Sequence, residues 1–271
     1  MIPLTEDKKM LGYGITMPYS NIFCFSTTRH GGSSTGNYAS FNCTPYTGDE
    51  EEHVRLNQKL LCESMPDSLK ELVIPFQTHD TQIEVISQSF ISISDKEKKE
   101  HLQGKDALIT KLPGYCLCIS TADCIPILLY DRKNQAIAAV HAGWRGTVNN
   151  LLQKTLTKMQ LLYGTKGEDI LACIGPGISL ASFEVGEEVY EAFRSKDFPM
   201  HEISQWNDVS QKHHIDLWQA NCLQLTHFGV APEQIEISGI CTYIHYRDFF
   251  SARRLGIKSG RILSGIMLTG Q

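Results

Sequence analysis

The sequence predicts a mixed α/β fold, with helices packed on a central mixed β-sheet in a single compact domain over residues 1–271. Three observations support this prediction. Helical and strand-type segments alternate along the chain, no period of roughly 20 to 50 residues repeats, and no low-complexity linker divides the sequence. A chain of 271 residues with 42% hydrophobic and 20% charged residues also has the composition of a globular protein.

The first regular element is a helix over residues 50–64, where apolar side chains recur at helical spacing and glutamates occupy the first turn. Short β-branched or apolar runs of strand length follow it. They predict strands at 72–76, 82–86, 107–110, 116–120, 125–130 and 136–141. Residues 89–104 are polar and rich in lysine, so we expect a surface excursion there without chemistry.

The second half of the chain continues the alternation. Thr147 is suitable as the N-cap of a helix that ends at Gly164. A strand over 170–174 then leads into the sequence GPG, and Asp216 is a plausible N-cap for a later helix. The remaining predicted elements are helices at 184–194 and 216–228 and strands at 235–240, 243–250 and 261–268.

Charge and hydrophobicity disfavour two classes of partner. The 25 basic and 30 acidic residues give a formal net charge of −5, which argues against binding along a nucleic-acid backbone. No apolar run approaches the roughly 18 to 20 residues of a bilayer span, and the N-terminal segment lacks the apolar core of a secretory signal. We therefore expect a cytoplasmic protein with neither nucleic acid nor membrane as partner. No feature of the sequence defines an oligomeric state.

Nine cysteines accompany ten histidines. In a cytoplasmic chain the thiols stay reduced, so each cysteine is a core side chain, a metal ligand or a nucleophile. Because free cysteine is among the most buried residue types, packing is the expected role of most of them. That group comprises Cys24, Cys62, Cys116, Cys118, Cys173 and Cys222, whereas Cys43 and Cys241 lie in turn-like contexts and their role stays open.

Three short segments each place a metal-capable side chain at a strand end or in a turn. They are PFQTHD, STADCIP and AAVHAGWRG, which carry His79, Cys124 and His141. Two histidines and one cysteine suit a catalytic zinc ion, because such sites keep three protein ligands and leave a fourth position for water or substrate. The long spacings contain no local metal-binding motif, and a histidine that ends an apolar strand is more often a hydrogen-bonded core residue.

Candidate anion-binding residues are few and scattered. Arg29 precedes HGGSSTGN, a loop of glycines and hydroxyl residues that lets a ligand approach the backbone, although such loops are more often simple turns. Arg253 and Arg254 follow an aromatic run. An arginine pair is usually solvated, but this position also suits burial beside a phosphate or carboxylate.

Several segments resemble, in the same order, the laccase-domain family, YfiH-like proteins formerly called polyphenol oxidases and now described as purine nucleoside phosphorylases. The matching segments are TRHGGSSTGNYASFN, PFQTHD, GKDALIT, CISTADCIPILLYD, AAVHAGWRGT, IGPGIS, FEVGEEV and CTY followed by FFSARR. The resemblance extends from about residue 20 to the C-terminus. It implies a single α/β domain and a zinc ion held by His79, Cys124 and His141.

The resemblance also implies phosphorolysis of adenosine, inosine, guanosine and methylthioadenosine, together with adenosine deamination. Phosphorolysis needs inorganic phosphate held below the sugar C1′, and we predict that Arg29, Asn42 and Arg254 bind phosphate or ribose, since oriented positive groups stabilise such charge. Deamination needs a water that is nucleophilic at neutral pH, which a zinc ion provides. The predicted catalytic residues are Asp123 and Arg254. Asp123, next to Cys124, is predicted either to transfer protons or to orient a histidine ligand.

Two departures from known patterns limit what is implied. Many family members carry a cysteine just before the FEVG element, where this chain has Ala181 and Ser182, so no metal or redox role carries over to that position. Standard zinc deaminases carry H-x-E and P-C-x-x-C signatures, and neither occurs in this sequence. Deamination by this chain would therefore need another proton carrier.

Alternative functions rely on the same side chains. A copper-dependent polyphenol oxidase also uses two histidines and a cysteine, but its three-copper cluster typically needs H-x-H pairs, and no two of the ten histidines have that spacing. Copper as an adventitious or alternative metal at the zinc site would then give only weak oxidation.

A metal-free cysteine hydrolase would use Cys124 as nucleophile and His141 or His79 as base. A non-enzymatic nucleotide-sensing module is a further alternative.

Overall fold

The computed structural model describes residues 1–270 and confirms the mixed α/β class. The strands are β1 (Ile2–Pro3), β2 (Met10–Gly12), β3 (Ile22–Thr27), β4 (Glu71–Val73), β5 (Ile83–Ile86), β6 (Ala107–Thr110), β7 (Tyr115–Thr121), β8 (Ile125–Asp131), β9 (Ala136–Ala142), β10 (Ile170–Ile174), β11 (Glu184–Val185), β12 (Ser204–Asn207), β13 (Lys212–Ile215), β14 (Ile235–Ile237) and β15 (Ile262–Leu268). The α-helices are α1 (Glu51–Glu63), α2 (Gln88–Ile91), α3 (Asp95–His101), α4 (Trp144–Val148), α5 (Leu151–Tyr163), α6 (Glu187–Arg194), α7 (Met200–Ile203), α8 (Leu217–His227) and α9 (Ala252–Leu255). Within residues 1–270, none of these helices combines the length and the apolar character that crossing a membrane requires.

The strands form three sheets rather than the one central sheet that the sequence predicted. Sheet I has the order β1-β2-β3-β15-β7-β4, and sheet II has the order β14-β10-β8-β9-β6-β5. Both contain parallel and antiparallel neighbours, whereas the small third sheet, β11-β13-β12, is antiparallel.

Sheets I and II pack face to face. Leu117 of β7 and Leu128 of β8 share the buried layer between them. Because alternate side chains of a strand point to opposite faces, the outer faces need cover as well. Cys116 packs with Leu61 of α1 outside sheet I, and α5 and α8 cover the outer face of sheet II. The resulting order of layers is helix, sheet, sheet and helix.

Strand directions bring five chain segments to one end of this two-sheet sandwich. β4 and β7 run parallel in sheet I, and each is followed by a connection that crosses to sheet II, residues 74–82 and 122–124. β9 is antiparallel to β8 and therefore ends where β8 begins. β6 and β15 are antiparallel to β9 and β7, so both begin at this same end.

Two cap predictions are confirmed. Gly164 ends α5 in the left-handed conformation, with φ of 73°, and its N–H donates to the carbonyl of Gln160. Asp216 caps α8, where its carboxylate accepts the N–H of Gln219.

Other local predictions are wrong. Residues 243–250 form hydrogen-bonded turns instead of a strand, and their aromatic content reflects burial of Phe249 and Phe250 in a small core with Ile262. Thr147 is not an N-cap, because the helix begins at Trp144 and breaks before α5. Its hydroxyl instead contacts the buried amide of Asn221.

Two segments differ in detail from their predicted structure. Gly186 separates the predicted helix at 184–194 into β11, which pairs with β13, and α6. The lysine-rich stretch 89–104 contains the end of α2 and all of α3, and these anchor it to the core through the buried side chains of Phe90 and Leu102.

All nine cysteines are free thiols. Cys24, Cys116, Cys118 and Cys173 are buried as predicted, and Cys43 and Cys241, whose role stayed open, are buried as well. Cys62, Cys124 and Cys222 are partly exposed.

Candidate metal centre

His79, Cys124 and His141 come together at the end of the sandwich, with ligand atoms within 4.8 Å of one another. Cys124 Sγ lies 3.9 Å from His79 Nε2, and the two imidazole rings have centroids 4.8 Å apart. Metal bonds of about 2.0 to 2.3 Å place neighbouring tetrahedral donors about 3.3 to 3.7 Å apart. A small contraction would therefore let the three donors share one ion, and within residues 1–270 no other group of three metal-capable side chains is this close.

The backbone on either side of the cluster is held in unusual conformations. His79 has φ of 63° and Asp123 has φ of 87°, in the left-handed region that few residues other than glycine adopt. Such conformations persist where surrounding contacts enforce them, and they cluster at functional sites. They direct the 74–82 and 122–124 connections so that His79 and Cys124 meet.

Asp106 is the buried carboxylate that supports this geometry. Its side chain accepts the backbone N–H groups of Thr78, His79 and Asp80 at 3.2, 3.0 and 2.9 Å. The same carboxylate lies 2.7 Å from Nδ1 of His141. Burial raises the pKa of Asp106, but the hydrogen bond and the charge of His141 outweigh it and leave the pKa below its usual value.

Because Nδ1 of His141 is paired with Asp106, the other ring nitrogen, Nε2, is left to bind a metal ion on the side of Cys124. A carboxylate bound to the second nitrogen of a ligating histidine fixes its tautomer and ring orientation. Whereas the sequence had offered Asp123 as a residue that could orient a histidine ligand, the carboxylate at Nδ1 of His141 in this structure is Asp106. Sequence reasoning missed this residue, although an acidic side chain directly before the apolar strand β6, in the segment GKDALIT, was an available signal.

Cys124 and His141 shift each other's ionisation. Burial opposes the thiolate, but His141 and His79 lower the pKa of Cys124 to about 6. Burial likewise opposes the imidazolium, but Cys124 and Asp106 raise the pKa of His141 to about 9. In the metal-free protein the pair is a thiolate and an imidazolium between these values. The thiolate is the form of cysteine that binds metals and acts as a nucleophile.

Asp123 is held by two donors from the C-terminal part of the chain. One carboxylate oxygen accepts the Thr242 hydroxyl at 2.7 Å, and the other accepts the Arg253 N–H at 2.7 Å. Its carbonyl accepts the N–H of Ile178 at 2.8 Å. Asp123 thus connects the turn that carries Cys124 to the segment around α9.

A pocket of about 220 Å³ opens beside the three donors, and all three contribute to its lining. Tyr46 and Phe76 form one part of its wall as an edge-to-face pair with ring centroids 5.0 Å apart. Both rings are partly exposed, at 39% and 36%. The pocket therefore combines aromatic surface with the candidate metal donors.

Arg261 also lines this pocket and was missed from the sequence. Its guanidinium donates to the backbone carbonyls of Ile257, Ser259 and Gly260, and within residues 1–270 it forms no ion pair with an acidic side chain. Burial lowers the pKa of Arg261, partly offset by the charges of Cys124 and Asp123. Arg261 therefore places a half-buried positive charge, which is not paired with a carboxylate, beside the candidate metal donors.

Arg29 and Arg254, the arginines predicted to contact phosphate or ribose, do not line the pocket. Arg29 donates to the carbonyls of Ala39 and Tyr246 at 2.7 and 2.8 Å. Arg254 is exposed, and its guanidinium lies over the rings of Tyr243 and Tyr246, 5.1 and 4.6 Å from their centroids.

Asn42 is fully buried and does not line the pocket either. Its amide nitrogen donates to the Asp49 carboxylate at 2.9 Å and the Thr47 hydroxyl at 3.0 Å. Its amide oxygen accepts the backbone N–H of Arg261 at 3.1 Å. In this structure Asn42 therefore positions the backbone of the pocket arginine.

Comparisons with known proteins agree with this architecture. A model of the family described as multi-copper polyphenol oxidoreductase laccase matches residues 23–269. A relative named purine nucleoside phosphorylase, from Bacteroides thetaiotaomicron, is 62% identical over 99% of both chains. A relative named adenosine deaminase RL5, from an unknown prokaryotic organism, is 39% identical over 89% of this chain and 92% of its own length. The crystal structure of YlmD from Geobacillus stearothermophilus superposes with a TM-score of 0.87 at 30% identity over 97% of both chains.

Proposed function

We propose that this chain, which belongs to the family described as multi-copper polyphenol oxidoreductase laccase, is a zinc-dependent purine nucleoside phosphorylase. Its substrates are adenosine, inosine, guanosine and methylthioadenosine with inorganic phosphate, and adenosine deamination is a side activity. The names of the relatives support an enzyme of this type. The cytoplasm, where thiols stay reduced, is a suitable compartment for its nine free cysteines.

Arg261 is the observation that carries the phosphorylase assignment. A partly buried guanidinium without a charged partner is unfavourable, and an anion bound in the pocket would supply that partner. Arginine binds phosphate through two parallel hydrogen bonds. We assign phosphate to Arg261, and we assign Asn42 and Arg29 to holding the loops around it. Arg254, exposed at the surface, would attract phosphate without holding it during the reaction.

The aromatic wall suits the purine. Base-on-aromatic stacking tolerates different bases because every base has a π-face, and it contributes about 1 to 3 kcal/mol. Tyr46 and Phe76 therefore support binding of several purine nucleosides rather than one. With the base on this wall and phosphate at Arg261, the sugar lies between them.

His79, Cys124 and His141 would hold the zinc ion, which supplies a Lewis acid and lowers the pKa of a bound water. In phosphorolysis an oxygen of phosphate forms the new bond to C1′ of the sugar. The C1′–N9 bond breaks, and its electron pair leaves with the purine. Arg261 orients the attacking phosphate and opposes its charge. The carboxylate of Asp123 already accepts two hydrogen bonds from the protein, so we assign it to positioning Cys124 rather than to proton transfer.

A metal-free cysteine hydrolase is the second candidate, because the thiolate–imidazolium pair of Cys124 and His141 is also the arrangement of a nucleophile and its base. Laccase chemistry has less support. Residues 1–270 bring together only one group of three metal-capable side chains, whereas a multicopper oxidase also needs the ligands of a three-copper cluster.

The decisive experiment uses protein purified without a metal-binding tag. Bound zinc and copper are quantified, and inosine is supplied with and without phosphate. We expect stoichiometric zinc and phosphate-dependent release of hypoxanthine and ribose 1-phosphate. Product that forms without phosphate and without metal would favour the hydrolase, and absence of both products would refute the phosphorylase assignment.

A further inference from the structure

Three exposed apolar side chains lie together at the mouth of the pocket. Ile257 lines the pocket although 81% of the residue is exposed, and Tyr46 and Phe76 of the aromatic wall are also open to solvent. A single exposed apolar residue is common on protein surfaces. Several gathered at one cavity instead indicate a surface that a ligand covers, and of these three only Ile257 lies outside the aromatic wall.

The backbone holds Ile257 in place even though its side chain is exposed. Gly256 ends α9 with φ of 89° and ψ of 163°, a conformation that essentially only glycine adopts, so the chain turns sharply just before Ile257. The Ser259 hydroxyl donates to the carbonyl of Gly256 at 2.7 Å, and the Arg261 guanidinium donates to the carbonyl of Ile257 at 3.0 Å. A turn that is already fixed reduces the ordering cost of binding a ligand.

Sheet I places this turn across the pocket from the aromatic wall. The strand order contains β15-β7-β4, so the turn before β15 and the connection after β4 lie on opposite sides of the end of β7. Ile257 belongs to that turn and Phe76 to that connection. Neighbouring strands are about 4.8 Å apart, which separates β15 from β4 by about 10 Å. A ring held between two apolar groups needs roughly 7 to 8 Å, so a space of this width admits one ring system.

We propose that Ile257 is a binding residue that covers the face of the purine turned away from Tyr46 and Phe76. The proposal rests on the proposed function, which stacks the purine on the aromatic wall and places phosphate at Arg261. Burial of apolar surface is not directional. Ile257 therefore adds affinity for adenine, guanine and hypoxanthine alike and does not discriminate among them.

The test compares Ile257→Ala, which removes most of the apolar side chain, with Ile257→Leu, which keeps it. Inosine and guanosine are assayed with saturating phosphate, and hypoxanthine and ribose 1-phosphate are each tested as product inhibitors. For Ile257→Ala we expect KM for both nucleosides and the inhibition constant of hypoxanthine to rise roughly 3- to 20-fold, because apolar contact with the purine is lost. The inhibition constant of ribose 1-phosphate and KM for phosphate should stay close to those of the parent, and so should all constants of Ile257→Leu.

Leu161→Ala is the matched control, because Leu161 is also 81% exposed but lies on α5 outside the pocket. It should leave every constant unchanged. The melting temperature should stay level in both alanine variants, since neither loses a buried side chain. If Ile257→Ala keeps the hypoxanthine inhibition constant of the parent, or if the constant for ribose 1-phosphate rises equally, the proposal is overturned.

Failure of the proposed function gives a different result. If the parent protein binds inosine in equilibrium dialysis but does not convert it, the phosphorylase assignment fails, and the Ile257 comparison is made on dissociation constants for inosine and hypoxanthine. Equal dissociation constants for Ile257→Ala and the parent would then overturn the proposal about Ile257. If the parent binds neither inosine nor hypoxanthine, both the proposed function and the role of Ile257 are refuted.

Discussion

Asp106 Oδ1 lies 2.7 Å from Nδ1 of His141, and the same carboxylate accepts the backbone N–H of His79 at 3.0 Å. One buried acid therefore positions two of the three candidate metal ligands, although they are 62 residues apart in the chain. Cys124, the third ligand, depends on a different support, the turn that Asp123 connects to the C-terminal segment.

Replacing Asp106 with Asn should weaken zinc binding by about 10- to 100-fold, since losing the carboxylate partner of a ligating histidine typically has this effect. Zinc affinity is measured by competition with a chromophoric chelator. Asp131→Asn is the matched control, because Asp131 is equally buried but binds only the turn at Lys133 and Asn134. Zinc affinity equal to that of the parent in Asp106→Asn would contradict the assigned role.

Cys124→Ala should abolish both stoichiometric zinc and phosphorolysis, because it removes the thiolate donor. Cys222→Ala, in α8 and outside the pocket, should leave metal content and rate unchanged. Metal analysis after gel filtration gives the comparison. Zinc retained by Cys124→Ala would show that the ligand set is different.

Alkylation of metal-free protein should report the low pKa of Cys124. The reactive thiolate fraction rises with pH through a pKa of about 6, so the rate with iodoacetamide should level off above about pH 7. Cys222 is the internal control, since burial raises its pKa to about 11 and keeps it protonated over this range. Rates are measured for each thiol by peptide mass spectrometry, and added zinc should protect Cys124. A rate at Cys124 that keeps rising through pH 8.5 would refute the thiolate assignment.

Arg261→Ala should raise KM for phosphate at least about 10-fold while KM for inosine changes little, because a charge-assisted pair to the anion is lost. Arg261→Lys keeps the charge but not the two-fold donor geometry, so an intermediate value is expected. Arg254→Ala is the comparison variant. A larger effect at Arg254 than at Arg261 would return the phosphate site to the residue predicted from sequence.

Gly143→Ala should impair metal binding through steric contact alone. An added Cβ would lie 2.9 Å from Cys124 Sγ and 3.4 Å from His79 Cδ2. The backbone itself tolerates alanine, because φ is −70°. We expect weaker zinc binding with little change in secondary structure by circular dichroism. Gly14→Ala, where the added Cβ finds only an ordinary contact at 3.5 Å, is the control, and equal zinc affinity in the two variants would count against this packing.

The sequence predicted the α/β class from local hydrophobic patterns, whereas it predicted the three residues of the candidate metal site through the resemblance to the family, because their spacing contains no local metal-binding motif. Each of His79, Cys124 and His141 lies at a strand end or in a turn, and the resemblance to the family connects them. The division into two sheets has no such signal, since β8 and β9 are buried along their whole length and show no alternation that would assign a face.

Asp106 and Arg261 could not be ranked as site residues because a charged residue directly before an apolar strand does not by itself indicate a site. Only the antiparallel register of β6 with β9, and of β15 with β7, brings them to the site. Arg29 and Arg254 were chosen from neighbouring residues along the chain, which do not reveal that Arg29 binds backbone carbonyls or that Arg254 stacks on two tyrosines at the surface.

The two connections that cross from sheet I to sheet II carry His79 and Cys124, and this arrangement determines when the site can exist. A chain with only one sheet formed has no cluster of three donors, because His79 and Cys124 meet only after both crossings are complete. Metal uptake by all three donors would then follow the packing of the two sheets. A zinc ion held there would join sheets I and II. Bound metal would therefore indicate a chain in which the two sheets are already packed together.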